Sequence, residues 1–385
     1  VGRNRLAFSG SSLFVVFATL CCAGEIEDKP GAVRLTLPPK LYAVVGVETN
    51  VYFDNVVLVI NPKNYEFCVK CGFGTQQSER WTFVPKKRDV GEYPFILEVR
   101  NQQNRVIAKA ASTLAVVGAD AGAERKVSML MIGDSLTHAS VYPKRVLDLC
   151  KLEGNPGVRL IGTNRSKDNA VCHEGYPGWT AVRFAAKYSV EKHSKKGGSP
   201  FVYLGKDGSK KLDFARYCQE FNEGEVPDIV TCFLGANDIA YAEEDSIEKV
   251  IDRMIKHLDM LVSMVRVVSQ ETIIGIMLPV PPAGSQDAFG ASYNTRLTRW
   301  QYKRNQHRLV ERLLQSYSNR DKENIFVVPT EVNLDCIYNY PMKKMKRNAH
   351  VSASVWRLAN GIHPGIGGYG QIGDSLYAWL KYRLK

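Results

Sequence analysis

The run Met129-Leu-Met-Ile-Gly133-Asp-Ser135-Leu-Thr-His138 is a short apolar segment that ends in a serine-bearing turn. Residues Val127 to Ile132 read as a buried strand, and Gly133 lets the backbone turn sharply after it. Apolar residues return at helical spacing from Tyr142 to Leu152, so Ser135 lies where a strand hands over to a helix. A hydroxyl at such a turn points out of the fold, where it serves as a nucleophile or as an ordinary helix cap. The two readings part only on what the rest of the chain supplies.

Outward from this run, towards the C-terminus, apolar strands alternate with helices. Strands are expected at Val127 to Ile132, Val158 to Gly162, Ile229 to Leu234, Ile273 to Leu278 and Ile325 to Pro329. Helices are expected at Tyr142 to Leu152, Thr180 to Tyr188, Ser246 to Val268, Asn294 to Tyr317 and Gly367 to Tyr382. This alternation predicts an α/β fold with a parallel sheet covered on both faces. In such folds ligands bind beyond the carboxyl ends of the strands, so functional residues belong just after them. Residues 189 to 222 fit the alternation poorly and read as an insertion.

Towards the N-terminus the pattern is all-β. Val33 to Leu37, Val51 to Ile60, Trp81 to Val84, Tyr93 to Val99, Val106-Ile107 and Thr113 to Val117 are short β-rich runs separated by turn residues. Residues 25–117 are therefore expected to form a small Ig-like β-sandwich. A small-residue linker is expected at 118–126, and the α/β domain at 127–385. Arg3, Arg5 and the apolar stretch Leu13 to Ala23 read as a cleavable signal peptide over 1–24, which implies export to the periplasm or beyond. No other stretch is apolar enough for a transmembrane helix. Two of the nine cysteines fall in that segment; Cys68-Val-Lys-Cys71 reads either as a local disulfide or as two unpaired thiols. The net charge of +12 is spread over the chain, with clusters at Lys192 to Lys196, Lys206 to Lys211 and Lys343 to Arg347. No nucleic-acid-binding motif accompanies it, so a solvated basic face or an acidic glycan partner is favoured over nucleic acid.

Four short motifs occupy the positions the strand rule singles out: Gly133-Asp-Ser135, Gly175-Tyr-Pro-Gly178-Trp-Thr180, Gly235-Ala-Asn237-Asp238 and Asn360-Gly-Ile-His363-Pro364. Taken together, in this order, they resemble the four blocks of the SGNH (GDSL-type) hydrolase family. The resemblance covers residues 127 to 385 and implies a flavodoxin-like three-layer α/β/α domain with no cofactor and no metal. It casts Ser135 as nucleophile and His363 as base, with the N–H groups of Ser135 and Gly178 and the side-chain amide of Asn237 as the oxyanion hole. Asp134 is expected to hold the turn. His138 and His173 lack a close-spaced metal-ligand pattern.

One position departs from the family. Where the blocks carry an acid three residues before the histidine, this chain has Asn360. Three readings stay open: a Ser–His dyad with His363 held by a backbone carbonyl or by the Asn360 side-chain oxygen, recruitment of Asp335 or Glu331, or an inactive centre. Trp179 and Tyr176 are candidates for stacking on sugar rings. The expected activity is hydrolysis of small acyl esters, O-acetyl above all, on a carbohydrate. The alternatives are a lipase, lysophospholipase or thioesterase, with Leu278 to Gly284 lining an acyl channel, and a glycan-binding protein without turnover. The β-sandwich is expected to serve as a packing platform.

Overall fold

Strand Lys126–Gly133 is buried on both sides because its residues alternate between two cores. Met129 and Met131 face a core built with helices Val141–Cys150 and Ile366–Leu384. Leu130 and Ile132 face the other, built with Ala181–Ala186, Ile247–Val268 and Arg299–Tyr317. A strand with an apolar residue at every position is what a sheet covered by helices on both faces requires. The computed structural model describes residues 33–191 and 197–385. The expected signal peptide and the Lys192 to Lys196 cluster lie outside the described residues.

The strands Lys126–Gly133, Gly157–Ile161, Ile229–Phe233, Ile273–Met277 and Ile325–Val328 are parallel, and their order across the sheet is second, first, third, fourth, fifth. This is the flavodoxin-like order, and the chain reverses its direction of winding between the first and third strands. Short strands Cys172–Gly175 and Asn164–Arg165 extend the sheet beside the carboxyl end of Lys126–Gly133. Within the expected insertion lie a hairpin, Val202–Leu204 with Lys210–Leu212, and helix Phe214–Phe221.

The β-rich part contains a four-stranded sheet, Lys40–Val44, Val106–Val117, Gly91–Arg100 and Glu66–Lys70, and a three-stranded one, Thr49–Tyr52, Arg80–Phe83 and Thr75–Gln76. Leu41, Val51, Phe53, Trp81, Phe95, Leu97 and Leu114 share one core with both. Two sequence expectations change here. The run Val51 to Ile60 is broken by a helical turn, Phe53–Val56, because Phe53 and Val56 both point into that core. Val106-Ile107 and Thr113 to Val117 belong to a single strand, paired along its length with Gly91–Arg100. Cys68 and Cys71 are free thiols.

Residues 33–385 fall into one compact unit. The outer face of the four-stranded sheet, through Tyr42, Val44, Ala115 and Val117, packs into the same core as Tyr377, Leu380 and Leu384 of the last helix. The expected linker is pinned as well: Lys381 donates to the Ala119 carbonyl (2.7 Å), and Gly122 abuts Leu384. Segment Glu331–Asp335 runs into the β-rich part, where the Tyr52 N–H donates to the Val332 carbonyl (2.9 Å). Buried Asn55 donates to the carbonyls of Glu331 (2.8 Å) and Leu334 (2.7 Å). Asp54 pairs with the buried ammonium of Lys303 and with Arg299 (2.9 Å).

Replacing Asn55 with alanine leaves the buried Glu331 carbonyl without a donor and the Leu334 carbonyl with only the weak Cys336 thiol, at a cost of about 1–3 kcal/mol before any relaxation. Asn55→Ala is therefore expected to lower the urea midpoint while the β-rich and α/β parts still unfold together. Two separate transitions, followed by tryptophan fluorescence and far-UV circular dichroism, would contradict a shared core.

Candidate active site

The turn after Gly133 has room only for glycine. A Cβ there would meet Thr137 Oγ1 at 1.9 Å and the Phe233 carbonyl at 3.1 Å. Asp134, and not Ser135, caps the helical turn Ser135–His138, with Oδ1 accepting the Leu136 N–H at 2.9 Å. The serine hydroxyl is thereby released from capping, and Ser135 Oγ lies 2.8 Å from His363 Nε2. Residues 228 positions apart thus stand at hydrogen-bonding distance.

Asn360 takes a different place from the one expected. Its Oδ1 accepts the backbone N–H groups of Ile362 (3.0 Å) and His363 (2.9 Å). It closes the turn that presents the histidine and does not reach the imidazole. The reason is local: an Asx side chain bonds most readily to the N–H groups two and three residues on. Neither of the two candidate carboxylates bonds to the imidazole. Asp335 accepts from the N–H groups of Ile337 (2.9 Å) and Tyr338 (2.8 Å). Glu331 is completely buried, and its carboxyl group has no side-chain partner among the described residues. Among the described residues no group bonds to His363 Nδ1.

Gly178 occupies the third position of a turn closed by Trp179 N–H to the Tyr176 carbonyl (3.1 Å), with Pro177 second and Gly178 at φ +73°. Proline second and glycine third at positive φ is the type II signature. No atom lies within 4 Å of where a Gly178 Cβ would stand, so the turn opens onto free space. Asn237 Nδ2 donates to Asp134 Oδ2 (3.0 Å) and to the Trp179 carbonyl (3.1 Å). Both its hydrogens are therefore committed, and the amide ties the Gly178-Trp179 turn to the serine turn where a free oxyanion donor was expected.

Trp179 and Tyr176 are core residues. They are 0% and 2% exposed and stack on each other with ring centroids 4.6 Å apart. The Tyr176 hydroxyl donates to buried Glu174 at 2.7 Å. Neither ring is open to a sugar. The aromatic side chains that are open near the histidine were passed over in the sequence. Tyr241 is 60% exposed and follows Ala240. Ala240 packs with Phe289 and Tyr302, and against these lie Tyr293 and Ile362, the neighbour of His363. The only sequence signal is the closeness of Tyr241 to the Asn237 motif; nothing in the sequence marks Tyr293. A cleft of about 500 Å³ opens between the segments that follow Ser135 and His363, lined by Ala139, Ser140, Lys144, Lys167 and Ile366.

Burial sets the protonation states. It lowers the pKa of His363 from its ordinary 6.5, which favours the neutral base. It pushes Asp134 up to about 7 and Asp238 up to about 6, with the Asp238 charge adding to the Asp134 shift. His173 falls to about 4, mainly by burial; its Nε2 faces Ser140 Oγ (2.9 Å), and its Nδ1 accepts the Gly175 N–H (3.0 Å).

The GDSL-like lipase/acylhydrolase family model matches residues 129–376, which carry the serine, the glycine turn, the asparagine and the histidine just described. The chain belongs to that family. This GDSL hydrolase is accordingly a carboxylic ester hydrolase. No curated protein sequence matches it significantly. Among solved structures it is similar to a carbohydrate acetylesterase family member from Sinorhizobium meliloti (15% identity, 67% of this chain and 99% of that one, TM-score 0.37). It is also similar to an acetylxylan esterase from Geobacillus stearothermophilus (15% identity, 65% and 92%, TM-score 0.34). A gut microbial diltiazem-metabolizing enzyme is matched over 52% of this chain but only 36% of its own length (13% identity, TM-score 0.32).

Three outcomes are expected from this geometry. Activity should rise with pH as His363 loses its proton, with the acid-limb midpoint of kcat/KM below 6.5, and should fall away below it; a midpoint above 6.5 would contradict the burial of the imidazole. Asn360→Asp keeps both acceptor contacts and should hold kcat within a few-fold, whereas Asn360→Ala should lower it about tenfold or more. Trp179→Ala should cost about 3–5 kcal/mol in denaturant unfolding, as large aromatic deletions in cores do, and show its effect there rather than as a selective rise in KM.

Proposed function

We propose that this hydrolase removes small acyl groups, O-acetyl foremost, from a carbohydrate through a Ser–His dyad. The observation that carries the proposal is the 2.8 Å contact between Ser135 Oγ and His363 Nε2 beside the open Gly178 turn. His363 Nε2 takes the Ser135 proton as Oγ attacks the ester carbonyl. The negative charge that develops on the carbonyl oxygen is met by the Ser135 and Gly178 N–H groups, held in register by the Asn237 amide. The tetrahedral adduct collapses as His363 returns the proton to the sugar oxygen, which leaves as an alcohol. Water, deprotonated by the same imidazole, then releases the acid and restores Ser135. With no carboxylate on Nδ1, the transient imidazolium is stabilised only by its surroundings, so turnover is expected to be slower than in a full triad.

A short acyl group is favoured over a fatty chain. Of the expected channel lining, Leu278 to Gly284, residues 278–283 are buried and Gly284 is half-buried. Their carbonyls are bound to the frame, Pro279 to Gln306 Nε2 (2.7 Å) and Pro281 to the Tyr340 hydroxyl (2.6 Å). That segment is packed into the frame. Tyr241, exposed, and Tyr293, half-buried, offer ring faces for a sugar. No described helix is long and apolar enough to cross a membrane. Action outside the cytoplasm is part of the proposal and rests on the apolar stretch Leu13 to Ala23.

The test is acetate release from p-nitrophenyl acetate and acetylated xylan, beside Ser135→Ala. Loss of about 10³-fold or more in kcat is expected for the variant. Rates with p-nitrophenyl esters should drop steeply beyond butyrate. Equal acetate release by both proteins would end the proposal, and undiminished cleavage of the decanoyl ester would move it to the lipase reading.

A further inference from the structure

Strands Met342–Asn348 and Val351–Leu358 form an antiparallel hairpin that the sequence reading did not anticipate. Every residue of the first strand is exposed. Its second strand runs directly into the catalytic turn: the Ala359 N–H donates to the Pro341 carbonyl (2.7 Å), closing the base, and Asn360 to His363 follow. Two contacts with helix Gln286–Tyr293 fix the base. Arg357 pairs with Asp287 (2.9 Å), and Ser292 Oγ lies 3.4 Å from the Gly361 nitrogen. The hairpin is thus anchored at the rim of the site and projects from it.

Its chemistry is one-sided. No acidic residue occurs between Asp335 and Asp374. Lys343, Lys344, Lys346 and Arg347 have no ion-pair partner among the described residues, in contrast to Arg357. Trp356 is 66% exposed and stands directly opposite Lys344 in the ladder, on the same face. An indole beside an ammonium suits a sugar ring that carries a negative charge, with the ring face against the indole and the carboxylate against the cation.

We propose that this hairpin is a docking arm for a polyanionic, uronic-acid-type glycan, which it guides to Ser135. The proposal rests on the esterase reading above and adds the charge of the polymer. A membrane surface fits less well. The tip, Asn348-Ala349-His350, is polar and is turned by an Asn348 Oδ1 contact to the His350 N–H (2.9 Å). The exposed tryptophan lies instead near the base, two residues from buried Leu358, on the side of the hairpin that leads to the catalytic turn.

The full chain and two variants test it: one carrying K343Q, K344Q, K346Q and R347Q, and the other Trp356→Ala. Each is assayed on p-nitrophenyl acetate, acetylated xylan and acetylated polygalacturonate at about 20 and 300 mM NaCl, salts chosen so that screening differs strongly. The expected result is about a tenfold loss of kcat/KM on acetylated polygalacturonate for the fourfold variant, carried by KM. That loss should vanish at the higher salt, with p-nitrophenyl acetate unchanged. Trp356→Ala should lose several-fold on both polymers. Equal turnover of acetylated polygalacturonate by wild type and the fourfold variant would overturn the proposal. So would a charge effect seen only as binding to phosphatidylserine vesicles. Should wild type fail on all three esters, the esterase reading falls, and retardation of the wild type but not the fourfold variant in a polygalacturonate gel would still decide the docking arm.

Discussion

The Asn237 amide is the constraint on which the site depends. Its two hydrogens reach the carboxylate of Asp134 and the carbonyl of Trp179, so one side chain joins the turn after the first strand to the turn after the added strand Cys172–Gly175. Asn237 itself follows the third parallel strand, so three loops from adjacent strands are locked at the point where the sheet reverses its winding. A carboxylate in place of the amide could donate nothing, and an aliphatic side chain would leave Asp134 Oδ2 and the Trp179 carbonyl without this donor. The serine and the glycine turn are held by neighbours that never touch the reacting atoms. The histidine comes from a fourth loop, fixed by the Asn360 turn.

The β-rich part reinforces this from behind. It shares its outer-face core with the last helix, which begins three residues after His363. The segment that leads into the histidine region, Glu331–Asp335, is bound along its length to Tyr52, Asn50 and Asn55. The β-rich part therefore bears on the helix that follows the His363 turn and on segment Glu331–Asp335, which precedes the Met342–Leu358 hairpin. That arrangement gives it a reason to be present beyond any ligand of its own.

How far the residues disclosed this is uneven, for physical reasons. Strand and helix periodicities predicted the central elements to within a few residues, because sheets covered on both faces demand unbroken apolar runs and long helices repeat their apolar face. The four motifs placed Ser135, Gly178, Asn237 and His363 near one rim, since loops after parallel strands meet there. Side-chain direction was beyond such reading. Asn360 turned to the backbone, Asn237 spent both hydrogens on neighbours, and Trp179 went into the core, where a sequence gives no sign of which way a residue faces. The hairpin Met342–Asn348 with Val351–Leu358 was missed because a ribbon exposed on both faces has no apolar alternation to reveal it.

Glu331 carries a last consequence. Its carboxyl group is sealed inside the protein with no side-chain partner among the described residues, and burial drives its pKa well above the ordinary 4.5. In the unfolded chain the same group ionises once the pH passes its ordinary value, so at neutral pH collapse of the chain must draw a proton from solvent. The penalty is absent in acid below that ordinary value and grows as the medium becomes more alkaline, up to the folded-state pKa. Through this one side chain folding takes up a proton, and the acidity of the medium in which the chain folds enters its thermodynamics there.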